Sequence, residues 1–272
     1  MLGYRVDRED WDYLRDRSVE FPAACCAAGD VPDEFRPKLR TKMQARTNSC
    51  VGHALSTLFA ALNLLITGEE VDYSAWFAYL VAQAASDMLG ADQGATIAGA
   101  MRAGHDVGCC RDELLPFPGG RYLMHMPPAA QAEAKQHQLG QFTELRGYDS
   151  LWRFVSTHQG PMLIGTPWRE GQVEIGPDGL ETRKTALKGA MLGYHARCII
   201  GWSKRLDDQG RHFLRCKNSH SERWGDQGES DIEPALFDEW ANDRFSAFFG
   251  ASESRPFEPR PVAWKEQRWI VV

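Results

Sequence analysis

The stretch Gln44-Ala-Arg-Thr-Asn-Ser-Cys-Val-Gly-His-Ala-Leu-Ser-Thr-Leu-Phe-Ala-Ala-Leu-Asn-Leu-Leu-Ile-Thr-Gly68 decides how the chain reads. Apolar residues fall at Val51, Ala54, Leu55, Leu58, Phe59, Leu62, Leu65 and Ile66. That three-and-four spacing predicts an amphipathic helix beginning at Cys50. Asn48 or Ser49 can cap its start, and Thr67-Gly68 ends it. Cys50 therefore sits where unpaired amides and the positive dipole end of a helix stabilise a thiolate, which lowers a thiol pKa from about 8.5. Position alone also suits a thiol that merely begins a helix, so a reactive role needs partners elsewhere.

An imidazole has to pair with such a thiolate and later protonate a leaving amine, and the imidazole needs an orienting group. Of eight histidines, His195 lies in a rigid, strand-like context, Gly193-Tyr-His-Ala-Arg-Cys-Ile-Ile-Gly-Trp202. Asn218 follows the next strand, His212-Phe-Leu-Arg-Cys-Lys-Asn-Ser219. A turn at Asp207 to Gly210 can set the two side by side, with the Asn218 amide oxygen accepting the ring proton. Oxyanion donors are available from the Cys50 backbone N–H and from an upstream amide such as Gln44.

Outward from this core the chain changes alphabet. Helices are expected after Ser74 over Trp76 to Ala85, over Thr96 to Ala103 with Gly104 as the stop, over Ala129 to Leu139, and over Ser150 to Thr157. After Gly160, short strands are expected at Met162–Gly165, Gln172–Ile175, Ala196–Gly201 and His212–Lys217, separated by Gly- and Pro-bearing turns. Pro32 to Gln44 reads as extended surface chain. A helical first half and a strand-rich second half imply an α+β protein with a cleft between the halves.

The 272 residues suffice for one large domain without disulfide or metal staples. With 31 basic and 37 acidic residues the net charge is −6, which argues against nucleic acid as a partner. No apolar run is long enough for a membrane span, since Ser56, Thr57 and Asn63 interrupt the longest. The charged N-terminus lacks a signal-peptide core, so a cytoplasmic location is expected, or a virion-associated one if the chain is phage-encoded. Seven cysteines, at 25, 26, 50, 109, 110, 198 and 216, show no CxxC and read as reduced thiols. Cys50-x-x-His53 alone falls two ligands short of a closed zinc site, so neither a metal nor a cofactor is expected.

Here the residues carry a resemblance. Gln44-Ala-Arg-Thr-Asn-Ser-Cys50, with Gln six positions before Cys, resembles the nucleophile motif of papain-like cysteine peptidases. Tyr194-His195-Ala196 resembles their histidine strand. Lys217-Asn218-Ser219, followed by Trp224-Gly225, resembles their Asn-Ser-Trp segment and Trp-Gly turn. Tyr73-Ser-Ala-Trp-Phe77 and Gly108-Cys-Cys-Arg-Asp-Glu-Leu-Leu-Pro-Phe117 are similar to later segments of the helical half, and the order Gln, Cys, His, Asn is the family order. The resemblance covers most of residues 31–250 and is closer to bacterial and phage members than to lysosomal ones.

It implies a two-lobed fold, a helical left half carrying Cys50 and an antiparallel β-barrel right half carrying His195 and Asn218, with the active-site cleft between them. It implies Cys50 as nucleophile, His195 as general acid/base, Asn218 as orienting amide and Gln44 as oxyanion donor. It further implies hydrolysis of peptide bonds in an extended peptide or protein substrate, whose backbone would meet Gln93-Gly94. Residues 1–30 read as an N-terminal extension too short for the family's inhibitory prosegment. Residues 251–272 read as a tail packing on the domain or on a protein partner. Two departures matter: Val51 follows the nucleophile in place of Trp, and His220 replaces the Trp that shields the Asn–His hydrogen bond. They leave two alternatives, an inactive binding or structural module such as a phage virion or assembly component, and another acyl-transfer enzyme such as a peptidoglycan amide hydrolase.

Overall fold

The computed structural model describes residues 3–5, 31–158, 160–251 and 254–255. In chain order the helices are α1 (Cys50–Thr67), α2 (Ala75–Ala85), α3 (Ile97–Asp106), α4 (Pro128–Ala134), α5 (Gly147–His158), α6 (Glu170–Val173), α7 (Arg183–Ala186) and α8 (Pro234–Trp240). The strands are β1 (Tyr4–Arg5), β2 (Ala95–Thr96), β3 (Gln138–Leu139), β4 (Phe142–Glu144), β5 (Met162–Arg169), β6 (Leu180–Glu181), β7 (Met191–Leu206), β8 (His212–Lys217), β9 (Glu229–Ile232), β10 (Ala247–Ala251) and β11 (Ser254–Arg255).

α1 forms where the apolar period places it, and Gly68 ends it in the left-handed conformation at φ 77°. It is long and apolar enough to cross a membrane by length and composition, contrary to the reading of the interrupted run, but 72% of it is buried inside the protein. Leu55, Leu58, Phe59 and Leu62 are buried in one core with residues of α2 and α3, making α1 the core helix of the first lobe. Each such side chain removed from water stabilises the fold by about 1.5–3 kcal/mol. α2 starts at the expected cap, the Ser74 hydroxyl accepting from the Phe77 amide. α3 is longer than expected. It runs through Gly104 to Asp106, and the glycine serves close packing, since a Cβ there would press on the Leu139 side chain.

The second lobe is a seven-stranded sheet in the order β4-β10-β5-β7-β8-β9-β6, antiparallel except for the β6–β9 pair. The α+β architecture with segregated halves holds. One expected strand does not form: Gln172–Ile175 begins in the short helix α6, where the Gln172 side chain accepts from the Arg169 amide and caps the turn. The segment at 129–139 is a short helix followed by β3. β7 is the shared wall. Ala196, Cys198 and Ile200 enter the core with α1, whereas Ile199 enters a second core with Trp202, Leu214 and Phe237. The chain from Pro32 to Gln44 is extended, bridging Phe35 to Trp202 and Met43 to His220.

Cys50, Cys109, Cys110, Cys198 and Cys216 are buried and free. Cys25, Cys26 and nearly all of both terminal segments lie outside the described residues.

Candidate active site

Cys50 opens α1 directly against β7. Ser49 stands at the N-cap, but its hydroxyl pairs with Thr47 (2.6 Å) and with the His53 ring (3.1 Å) and leaves the helix amides alone. The preceding loop is clamped from α2: the Asn48 amide donates to the Asp92 carboxylate at 2.9 Å, and Tyr79 donates to the same group at 2.8 Å.

His195 is wholly buried on β7, and its Nε2 lies 2.7 Å from Asn218 Oδ1. The Ser219 amide donates to that same oxygen at 2.7 Å, which fixes which end of the Asn218 amide meets the ring. The other ring nitrogen, Nδ1, is buried with no hydrogen-bond partner. Gln44 is held at both ends: its Nε2 donates to the Thr47 carbonyl (2.9 Å), and its Oε1 accepts from the Ser219 hydroxyl (2.6 Å). Its backbone amide also donates to the Ser219 carbonyl, so the Gln44 and Asn218 segments are laced together.

Gln93 and Gly94 follow Asp92, which holds the Asn48 amide, and their backbone groups are engaged within their own lobe. The Gly94 N–H donates to Tyr79 and its carbonyl accepts from Gln83, while Gln93 N–H donates to Ala91. The edge that pairs with an extended segment is the next residue, Ala95. Its N–H donates to the Gly3 carbonyl at 2.8 Å, and β1 runs parallel to β2. Gly94, at φ 93°, permits this approach, since a Cβ there would collide with the Gly3 carbonyl.

Of the N-terminal extension, the described residues Gly3 to Arg5 lie against the head of α1 and β2. Tyr4 is 6% exposed and its ring lies against Gly165, Ile97 and Tyr194. Its hydroxyl donates to the Phe245 carbonyl at 2.8 Å. Gly3 lies over the head of α1, close enough for a Cβ to collide with the Asn48 carbonyl. Burial pushes the Cys50 thiol up to about 11, although the backbone of Ala196 and of Gly3 pull it back in part. With the segment in place, desolvation outweighs the helix end, the reverse of the lowering expected from position.

Burial likewise holds His195 well below the usual imidazole range, and it lowers His53 and His220 to about 4. His53 and His220 are therefore neutral when folded at pH 5 to 7, whereas in the unfolded chain they protonate below about 6.5. Folded pKa values below the unfolded one mean the unfolded chain binds the extra protons. Stability is then fully present above pH 6.5 and falls on acidification toward 4, by about 1.4 kcal/mol per pH unit for each of His53 and His220. Urea unfolding at pH 7, 5.5 and 4.5 measures this slope, and His53→Gln should reduce it by one proton's share. An unchanged slope in that variant would refute the assignment.

Sequence reading missed Trp168, whose tilted ring lies 4.5 Å from that of His195, and the wholly buried Arg197–Glu181 pair at 2.7 Å. An Arg two positions from His195 on the same strand face was the available signal for the latter. Among the described residues no three His, Cys, Asp or Glu side chains gather to hold a metal ion.

No family model and no curated protein sequence matches the chain. Solved structures do. The chain superposes on xylellain, a cysteine protease from Xylella fastidiosa, with a TM-score of 0.72 at 18% identity, over 93% of this chain and 96% of that one. The fold is papain-like. A proform of the ragweed pollen cysteine protease Amb a 11 superposes at 0.63 and 18% identity, over 85% and 68% of the two chains. Procathepsin B from Trypanosoma congolense superposes at 0.63 and 15%, over 93% and 87%. Within this papain-like frame, Cys50 heads the long helix of one lobe, and His195 and Asn218 stand on adjacent segments of the other.

Proposed function

We propose that the chain is a cysteine peptidase that hydrolyses amide bonds of extended peptides through a Cys50 thioester. The observation that carries this reading is the His195–Asn218 hydrogen bond at 2.7 Å with Nδ1 left unpaired, one residue before Ala196, whose backbone meets the Cys50 thiol at the start of its helix. With Nε2 committed to Asn218, Nδ1 is the nitrogen left to exchange a proton with the thiol. The Cys50 thiolate attacks the peptide carbonyl carbon, and its oxygen takes up negative charge. The Cys50 amide and the second Nε2 hydrogen of Gln44 serve as donors to that oxygen. His195 gives its proton to the leaving amine as the C–N bond breaks, leaving the acyl thioester. A water then loses its proton to His195 and adds to the thioester, and the thiol departs with that proton. Ala95 supplies a backbone donor for the substrate chain, in the place the Gly3 carbonyl now occupies.

The wholly buried, undissociated Cys50 thiol also favours a second reading, a papain-like module without turnover. Digestion of a proteome-derived peptide library separates the two. Under the peptidase reading, wild type freed of its N-terminal contact yields new termini that Cys50→Ala does not. Identical peptide sets from both proteins would leave the inactive module.

A further inference from the structure

We propose that Trp168 is a positioning residue for His195, covering the His195–Asn218 hydrogen bond from a strand that carries none of the reacting groups. The position after Asn218-Ser219 is occupied by His220, whose ring lies 4.8 Å from His195. His220 also lines an open cavity of about 490 Å³ with Met43, Ile175 and Trp224. An imidazole there brings polar surface next to the pair and is a poor barrier to water. Trp168 fills the space beside it, in contact with both imidazoles. It is wholly buried on β5, directly across from Gly193, whose missing side chain lets the indole lean diagonally onto His195. The ring centroids are 4.5 Å apart, and Trp168 also packs on His220 at 5.3 Å and Trp224 at 6.1 Å.

The indole is itself fixed from behind. The Arg197 guanidinium lies 5.0 Å over its ring, held by Glu181 at 2.7 Å. His195 is thus faced by Asn218 and His220 from the β8 side, by Arg197 and Trp168 on its own sheet, and by His53 from α1. Of these, Trp168 is the large apolar surface against the ring. In such a dry setting a hydrogen bond is stronger and the ring plane is held, so Nδ1 stays aimed while Nε2 keeps its proton.

The test is proton exchange at His195 Nε2–H, read by NMR on the full chain. In Trp168→Ala that proton should exchange with solvent about tenfold faster or more, in Trp168→Phe less so, while the amides of Cys198 and Ile199 keep their rates. Adding His220→Trp to Trp168→Ala should restore slow exchange, because cover is returned from the neighbouring position. The inference presumes that His195 is the acid–base group, but exchange reports the hydrogen bond whether or not peptides are cut. Unchanged exchange in Trp168→Ala, or a uniform rise across β7, would overturn it. Should the alanine variant not fold, Trp168→Leu, which fills without stacking, is read by the same criteria.

Discussion

Replacing Tyr4 by alanine is expected to raise the rate at which a small electrophile such as iodoacetamide modifies Cys50 at pH 7 by about two orders of magnitude. Two effects combine. The Tyr4 side chain anchors the segment in the cleft through its buried ring and its bond to the Phe245 carbonyl, and truncating a buried aromatic costs about 3–5 kcal/mol of such anchoring. Once Gly3 lifts away, the thiol loses part of the burial that holds it near 11. A thiol near 11 is about one part in ten thousand thiolate at pH 7, whereas one near its free value is a few per cent thiolate. The pH–rate profile should move with the rate, its inflection shifting from near 11 toward neutrality. Gly3→Val approaches the same state differently, since the added branch collides with the Asn48 carbonyl. Equal rates in wild type and both variants would show that the segment does not limit access to Cys50.

Glu181→Gln is expected to destabilise the fold by about 3–5 kcal/mol while leaving its shape intact. Glu181 and Arg197 are both wholly removed from solvent. The carboxylate also accepts from Gln172 at 2.8 Å and Ser230 at 2.9 Å. An amide can keep contacts with those neutral neighbours but leaves the Arg197 guanidinium uncompensated, and that penalty is the large one. Because stability in a chain this size moves by about 2–4 °C per kcal/mol, the melting point should drop by roughly ten degrees. The paired change Glu181→Leu with Arg197→Met should recover most of it, since a well-packed apolar pair avoids the desolvation cost. A melting point unchanged in the single variant would mean that water reaches the pair.

Much of this was legible in the sequence because the signals were local. The Leu55–Leu58–Leu62 spacing with Gly68 placed α1, Ser74 placed the start of α2, and Tyr194-His195-Ala196 fell within a long strand. Gln172-Val-Glu-Ile175 alternates as a strand does, yet a side-chain cap three residues from Arg169 turned it into α6. Gly104 read as a stop because close packing against Leu139, 35 residues on, leaves no local mark. Tyr4 in the cleft and Glu181 beside Arg197 are long-range contacts with no period to announce them. The Cys50 thiol was misjudged for a related reason: a helix end is visible in sequence, and the desolvation that overrides it is not. Asn218, Gln44 and Ser219 were readable as candidates by their order, but the interlocking of their amides appears only when the extended 32–44 segment is laid on the sheet.

β7 sends alternate side chains into two separate cores. A hinge between the lobes would have to pull Ala196, Cys198 and Ile200 out of the helical core, on the very strand that holds His195. The molecule is therefore mechanically a block and not a clamp. The wall that holds His195 is as fixed as the core behind it, whereas the segment at Gly3 and Tyr4 is held by a short parallel pairing at Ala95–Thr96 and the Tyr4 contacts.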